Sequence, residues 1–297
     1  MIQSEPADRK LFLARHYGFC SGVRRALKFV DDLLEQSSPE QTICVYNEIV
    51  HNNFVVSSLK KRGVRFITGL SQAPDNAIVV WSAHGVPPQL KQQAAIRGLK
   101  TVDATCPRVQ KLHELANRYS LQGAAVIFIG HADHPETIGV AGCGNVYTVA
   151  NARDCADLPQ FESSRPITVL TQTTWSKPDI DQLIAELRKR FPALEAVSGI
   201  CHATFERQNA VHELITDQHI EQLLVIGSAT SSNSKRLCEI ARSAGIPAHL
   251  LDSADDLANI DLSSVVRLGI TAGASAPEEL LQTAVSKLKN EYNFLLV

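Results

Sequence analysis

The 297-residue sequence carries seven cysteines, at positions 20, 44, 106, 143, 155, 201 and 238, yet it contains no CxxC pair. Zinc ribbons and ferredoxins lose their local signature with it, so any metal site must be assembled from residues far apart in the chain. An odd number of cysteines spread over a chain of ordinary domain size also argues against a disulfide framework. Excess charge is missing too: Lys+Arg 29 against Asp+Glu 31 leaves a formal charge of -2. Nucleic acid and anionic membrane both select a basic face, so neither is an expected partner and a small molecule is. Apolar runs such as "AAVIFIG" fall far short of the roughly 20 residues that cross a bilayer, and no basic segment followed by a long apolar core opens the chain. The expectation is a soluble, non-secreted, cytoplasmic protein with no membrane attachment.

What is present is a regular alternation. Runs of strand length recur at "KLFLA", "TICVY", "AIVVW", "AAVIFIG", "ITVLT", "LLVIG" and "VVRLGIT". Between them lie helical spacings such as Val23, Ala26, Leu27, Val30, Leu33 and Leu34. Continuous apolar strands are buried on both faces, so the spacing predicts an α/β protein with largely parallel sheets. A weak repeat runs through it. Cys20, Cys106 and Cys201, 86 and 95 residues apart, each open a helix-like segment: "CSGVRRALKFVDDLL", "CPRVQKLHELANRY" and "CHATFERQNAVHELI". Three related α/β units follow. The expected division is an extension and strand over 1–22 packing with the third domain, a first domain over 23–106, a second over 107–197 and a third over 198–297.

Ligands of parallel sheets gather beyond the carboxyl ends of the strands. The segments there are "GFCSG", "NEIVHNN", "SAHGVPP", "GHADHPETIG", "TQTTWS", "GSATSSNS" and "TAGASAPEE", rich in Cys, His, Glu, Thr, Ser, Asn and Gly. A lone cysteine is more often a small buried hydrophobe than a ligand, which is the reading for Cys44, Cys143, Cys155 and Cys238. The three repeat cysteines stand at helix N-termini, where positive partial charge favours a thiolate, and are read as metal ligands. Three thiolates are one short of the usual set for an iron–sulfur cluster, which leaves one iron open; three thiolates on a zinc with an open position for water remain an alternative. His51, His84 and His134 look like donors to an anion. "ATSSNSKRL" and "GASAPEEL" are small-residue loops opening helices, suited to phosphate. Ser275 with Glu278 also reads as a capping box. No Lys sits at P-loop spacing, so a diphosphate fits better than a nucleoside triphosphate. Glu136, in "HPETIG", is the acid whose pKa a poorly solvated loop would raise into proton-donor range, with Thr173 to relay or orient the proton.

Taken together, "GFCSGV", "EIVHNNFVV", "SAHGVP", "DATCP", "GHADHPETIG", "TQTTWS", "SSNSKRL" and "TAGASAP" make the chain resemble, over nearly its whole length, the IspH/LytB family of 4-hydroxy-3-methylbut-2-enyl diphosphate (HMBPP) reductases. The resemblance implies three α/β domains in pseudo-threefold arrangement around a [4Fe–4S] cluster. It implies Cys20, Cys106 and Cys201 as its ligands, with one open iron for the substrate hydroxyl. Glu136 and Thr173 carry over as the catalytic pair. His51, His84, His134, Thr173, Ser231, Ser232, Asn233 and Ser275 carry over as substrate-binding residues. A ferredoxin- or flavodoxin-like donor would supply two electrons, and the products would be isopentenyl and dimethylallyl diphosphate, in the last step of the non-mevalonate pathway. Besides the zinc hydrolase, a non-catalytic iron–sulfur sensor of a diphosphate metabolite is kept. Departures from the family pattern are Tyr17 before the first "GFC", Ala229-Thr230 before "SSN", and His202 after the third cysteine. The first ten residues lack a counterpart and are expected to be a disordered extension.

Overall fold

In a computed structural model, residues 9–38 and 40–297 are described. The strands are β1 (Lys10–Leu13), β2 (Ile43–Tyr46), β3 (Arg65–Ile67), β4 (Ile78–Trp81), β5 (Lys100–Asp103), β6 (Ala125–Ile129), β7 (Val146–Val149), β8 (Ile167–Thr171), β9 (Glu195–Val197), β10 (Gln222–Ile226), β11 (Ala248–Leu251), β12 (Arg267–Ala272) and β13 (Leu295–Leu296). The helices are α1 (Ser21–Gln36), α2 (Asn53–Lys61), α3 (Pro88–Ile96), α4 (Pro107–Leu121), α5 (Pro135–Ala141), α6 (Ala152–Asp157), α7 (Lys177–Arg190), α8 (His202–Thr216), α9 (Ser232–Ser243) and α10 (Glu278–Asn290). Every strand pair is parallel. The α/β class read from the alternation is therefore what forms.

The strands make three sheets with one order. It is β3-β2-β4-β5 in one, β7-β6-β8-β9 in another and β11-β10-β12-β1-β13 in the third. In each, the second strand lies outside the first, and the third and fourth follow on the other side; β1, from the start of the chain, takes the fourth place in the last sheet. The weak sequence repeat is thus a repeat of topology. It extends to single hydrogen bonds. The residue after each first strand, Asn47, Gly130 or Gly227, donates its N–H to the last carbonyl of the second strand, at Ile67, Val149 or Leu251 (2.8, 3.0 and 2.8 Å).

By contacts the chain divides into two compact units, one of residues up to Cys20, His51–Ser57 and His202–Val297, the other Ser21–Val50 and Ser58–Cys201. In the first unit, β10 alternates its faces with period two, as a pleated strand must. Leu223 and Val225 pack with Val211 and Leu214 of α8, while Leu224 and Ile226 pack with Leu281 and Leu288 of α10. In the second unit, Val126 and Phe128 of β6 meet Leu112 and Ala116 of α4, and Ile127 and Ile129 meet Leu183 and Leu187 of α7. A third core holds Cys44, Val79, Trp81 and Ala94.

The expected disordered extension falls largely on residues 1–8, outside the described residues, but at its end it is overturned. Lys10 opens β1 and pairs with Arg267 and Leu295. The Arg9 guanidinium donates to the carbonyls of Val265 (3.0 Å) and Tyr292 (2.6 Å) and lies 4.0 Å from the centre of the Phe294 ring. Among the described residues no helix is long and apolar enough to cross a membrane.

Core dependence is directly measurable. Phe128 is fully buried in β6, whereas Ile96 at the end of α3 is 83% exposed. Phe128→Ala is expected to cost about 3–5 kcal/mol, from lost transfer energy and the cavity left behind, and Ile96→Ala less than about 0.5 kcal/mol, both read from urea unfolding midpoints.

Candidate active site

The repeat puts the chemistry-bearing residues at equivalent positions. Five residues past the end of each first strand stand His51, His134 and Ser231, and three past the end of each third strand stand His84, Thr174 and Ser275. Each fourth strand leads to a cysteine: β1 to Cys20, β5 to Cys106 and β9 to Cys201, and a helix opens directly after each. The cysteines are tethered alike. Their amide N–H groups donate to Ala274 (3.0 Å), Ala83 (3.0 Å) and Thr173 (3.1 Å), in every case the carbonyl two residues beyond the third strand. Each candidate ligand is thereby fixed beside a candidate substrate residue: Cys20 beside Ser275, Cys106 beside His84, Cys201 on Thr173 itself.

In the second unit the centre is Glu136. Pro135 starts α5 with its φ preset and His134 caps it, Nδ1 accepting the Glu136 N–H at 3.1 Å. That bond leaves the neutral imidazole with its proton on Nε2. Ring centres of His134 and His84 are 5.7 Å apart, edge to face. The Glu136 side chain is 2% exposed, so α5 carries a carboxyl group into the protein interior. Thr173 meets it twice: its N–H donates to Oε1 at 2.8 Å and its hydroxyl to Oε2 at 2.7 Å. Burial pushes the Glu136 pKa up to about 7, against the pull of the two Thr173 bonds. The expected raised acid with Thr173 beside it is what forms.

In the first unit the β10 and β12 loops gather hydroxyls. The Ser275 hydroxyl donates to the His51 carbonyl at 2.8 Å and lies 3.4 Å from Ser231 Oγ, which caps α9. Ser234 donates to Ser231 Oγ at 3.0 Å. Gly227 and Gly273 close on Ser234 so tightly that a Cβ would stand 2.3 and 2.0 Å from its Oγ. Asn233 is 3% exposed, and neither Oδ1 nor Nδ2 has a hydrogen-bond partner among the described residues. An orphaned buried amide costs stability unless a ligand pairs with it, and a diphosphate is such a ligand. Ser232, first in α9, is half-buried. The capping box is overturned: α10 begins at Glu278 after Pro277 with no side-chain cap, because the Ser275 hydroxyl is committed to His51.

Cys20, Cys106 and Cys201 are half-buried and unbridged; Cys44, Cys143, Cys155 and Cys238 are buried. Burial raises all four of the latter, Cys143 and Cys238 to about 11, which makes them inert thiols. Among the described residues no three His, Cys, Asp or Glu side chains converge as ligands of one metal ion. Thiolates of a cluster belong to different irons and need not converge so.

Known proteins resemble this chain over nearly its whole length. The family model described as LytB protein matches residues 11–289. The chain belongs to the LytB family. Curated relatives described as 4-hydroxy-3-methylbut-2-enyl diphosphate reductase include one from Azotobacter vinelandii, 45% identical over 285 residues (93% of this chain, 89% of the relative), and one from Haemophilus influenzae, 44% identical over 288 residues (94% and 90%). The solved E-1-hydroxy-2-methyl-but-2-enyl-4-diphosphate reductase of Plasmodium falciparum matches with TM-score 0.93 and 34% identity, covering 98% of this chain and 91% of that one. A second solved structure, titled as the terminal enzyme of the non-mevalonate pathway, matches with TM-score 0.68 and 28% identity over 95% and 99% of the two chains. These matches favour the reductase over the zinc hydrolase.

Within this LytB chain the sequence reading passed over Thr174. It occupies the position of His84 and Ser275 in the repeat, and its hydroxyl accepts from Gln172 Nε2 at 3.1 Å. Aligning the three strand ends would have found it. His113 was also passed over. A Cβ on Gly85 or Gly139 would come within 2.9 Å of its ring, and burial, helped by the Lys91 charge, lowers its pKa to about 4.

The raised Glu136 pKa has a linkage consequence. A folded-state pKa of about 7 against an ordinary value of 4.5 adds stability that is complete below pH 4.5 and is lost as pH rises through 7. Glu136→Gln removes that dependence. Relative to the variant, the wild-type chain is expected to lose roughly 3 kcal/mol of stability between those limits, measured by chemical denaturation across pH.

Proposed function

We propose that the chain reduces HMBPP to isopentenyl and dimethylallyl diphosphate, the last step of the non-mevalonate pathway, with electrons from a ferredoxin- or flavodoxin-like donor. The observation that carries this reading is the sealed Glu136 carboxyl, held near pH 7 by burial and bonded to the threonine whose carbonyl takes the Cys201 amide. The family supports it. The three-domain division expected from the sequence is kept as part of the proposal.

Cys20, Cys106 and Cys201 would hold a [4Fe–4S] cluster with one iron free of protein ligands. They fit: three half-buried thiols at one repeated position, set apart from four buried and inert ones. When bound, the cluster would pass on the donor's two electrons one at a time and supply Lewis acidity. The reaction balances as alcohol plus two electrons plus two protons giving alkene and water: the C–O bond breaks, a C–H bond forms, and one proton ends on oxygen, the other on carbon.

The protein's part is to bind the diphosphate and move protons. Ser231, Ser232, Asn233 and Ser275 would donate to phosphate oxygens together with His51, His84 and His134. For His134 the donor is Nε2, since Nδ1 is engaged by the Glu136 N–H. Glu136 Oε1 is committed to the Thr173 N–H, so the transferable proton sits on Oε2. With Glu136 protonated, the Thr173 hydroxyl bond to Oε2 reverses: Oε2–H donates to Oγ1, and the threonine hydroxyl passes its own proton onward. Each transfer restores the starting arrangement once Glu136 is reprotonated, which a pKa near ambient pH makes easy.

Anaerobically loaded protein with a reduced donor and HMBPP is expected to yield both isomeric products, and Cys106→Ser to lose iron and activity together. Glu136→Gln is expected to keep substrate binding while turnover falls about 10²–10⁴-fold, the contribution of one positioned acid. An unchanged rate would remove Glu136 from the chemistry; cluster and substrate binding without turnover in the wild-type protein would mark a sensor.

A further inference from the structure

We propose that Arg207 and Arg25 are positioning residues for the cysteine loops, each reaching from the helix that follows one proposed ligand to the backbone carbonyl just ahead of another. This rests on the reading of Cys20, Cys106 and Cys201 as cluster ligands. Arg207 lies in the second turn of α8, which opens directly after Cys201, and is 5% exposed. Its Nη2 donates to the Gly18 carbonyl at 2.6 Å, two residues before Cys20, while Nη1 donates to Ala203 at 2.7 Å in its own helix. Arg25 lies in the second turn of α1, which opens directly after Cys20. Its Nη1 donates at 3.1 Å to the Thr105 carbonyl, one residue before Cys106, with the guanidinium 4.8 Å from the Phe29 ring centre.

These contacts complete the loops. All three cysteine amides are spent on carbonyls two residues beyond the third strands, so the backbone just ahead of each cysteine is what is left to fix. At Cys20 little freedom remains once it is fixed: Gly18 has φ +70, its N–H donates to Ala272 at 3.3 Å, and a Cβ there would stand 2.8 Å from Glu278 Cγ. At Cys106 the Thr105 N–H is taken by Asp103 Oδ1 at 3.0 Å and its carbonyl by Arg25. The loop ahead of Cys201 uses a hydroxyl instead, with the Gly199 N–H on Thr171 Oγ1 at 2.8 Å. Arginine suits the first two because a guanidinium is charged at every working pH and offers several donors in one rigid fork. Arg207 uses two of them on separate nitrogens, which a single ammonium on a flexible stem does not reproduce.

The test is cluster retention, read without turnover. Wild-type, Arg25→Met, Arg25→Lys, Arg207→Met and Arg207→Lys chains are loaded anaerobically and challenged with an iron chelator. Iron release and the reduced-cluster electron paramagnetic resonance signal are followed, with the exposed Lys28→Met on α1 as control. Release from Arg25→Met and from both Arg207 variants is expected to be about tenfold faster, the loss of one charge-assisted bond, with an altered signal. Arg25→Lys should recover most of the wild-type rate and Lys28→Met should match it. If Arg207→Met does not fold, Arg25→Met, altered at an exposed residue, decides alone. Wild-type release rates and signal in Arg25→Met and Arg207→Lys overturn the inference. A wild-type chain that takes up no iron overturns the cluster reading itself.

Discussion

The structure turns on one backbone hydrogen bond made three times: the amide of a cysteine in the loop beyond a fourth strand, donated to the carbonyl two residues past the end of the third. That bond is a consequence of parallel pairing. Adjacent parallel strands end together, so the chain leaving one runs beside the chain leaving its neighbour and the ladder continues for one more rung. The cysteine, though it stands in a loop beyond the strand, is thus tied back to the sheet. The same rung brings it against the residue that the third strand delivers, so thiol and polar group arrive as a pair.

The cysteines also stand where the chain changes partner. After Cys106 the chain enters α4, whose Leu112 and Ala116 cover the sheet of β6 and β8, and after Cys201 it enters α8, whose Val211 and Leu214 cover the sheet of β10. Both long segments of the second compact unit are bounded by such points, Cys20 before it and Cys201 at its end. These three thiols are half-buried, whereas Cys44, Cys143, Cys155 and Cys238 lie inside the cores.

How much was legible in the sequence follows the burial. The seven apolar runs became β1, β2, β4, β6, β8, β10 and β12, all interior to their sheets. The strands at sheet edges, β3, β5, β7, β9, β11 and β13, need bury only part of their surface; segments such as Lys100–Asp103 and Glu195–Val197 carry charged ends and give no run to see. The site was legible where residues follow strands directly, as with Glu136 and the three cysteines. Arg207 was not, because its role depends on a partner nearly two hundred positions away, and nothing in the local spacing of α8 marks a buried guanidinium aimed at Gly18.

Thr173 joins these two levels. Burial alone would raise the Glu136 pKa further, giving a weaker acid; hydrogen bonds alone would pull it below an ordinary surface value. Two bonds from one threonine hold the group near 7, between those limits. The backbone bond tunes Oε1 and cannot be mutated away, while the hydroxyl addresses the oxygen that carries the proton. Because the carbonyl of the same residue takes the Cys201 amide, a shift of that cysteine is a shift of the acid's tuning. Acid strength and the position of Cys201 are therefore both tied to one residue, two beyond the end of β8. Substituting the threonine side chain alters the first, but only moving the strand alters both.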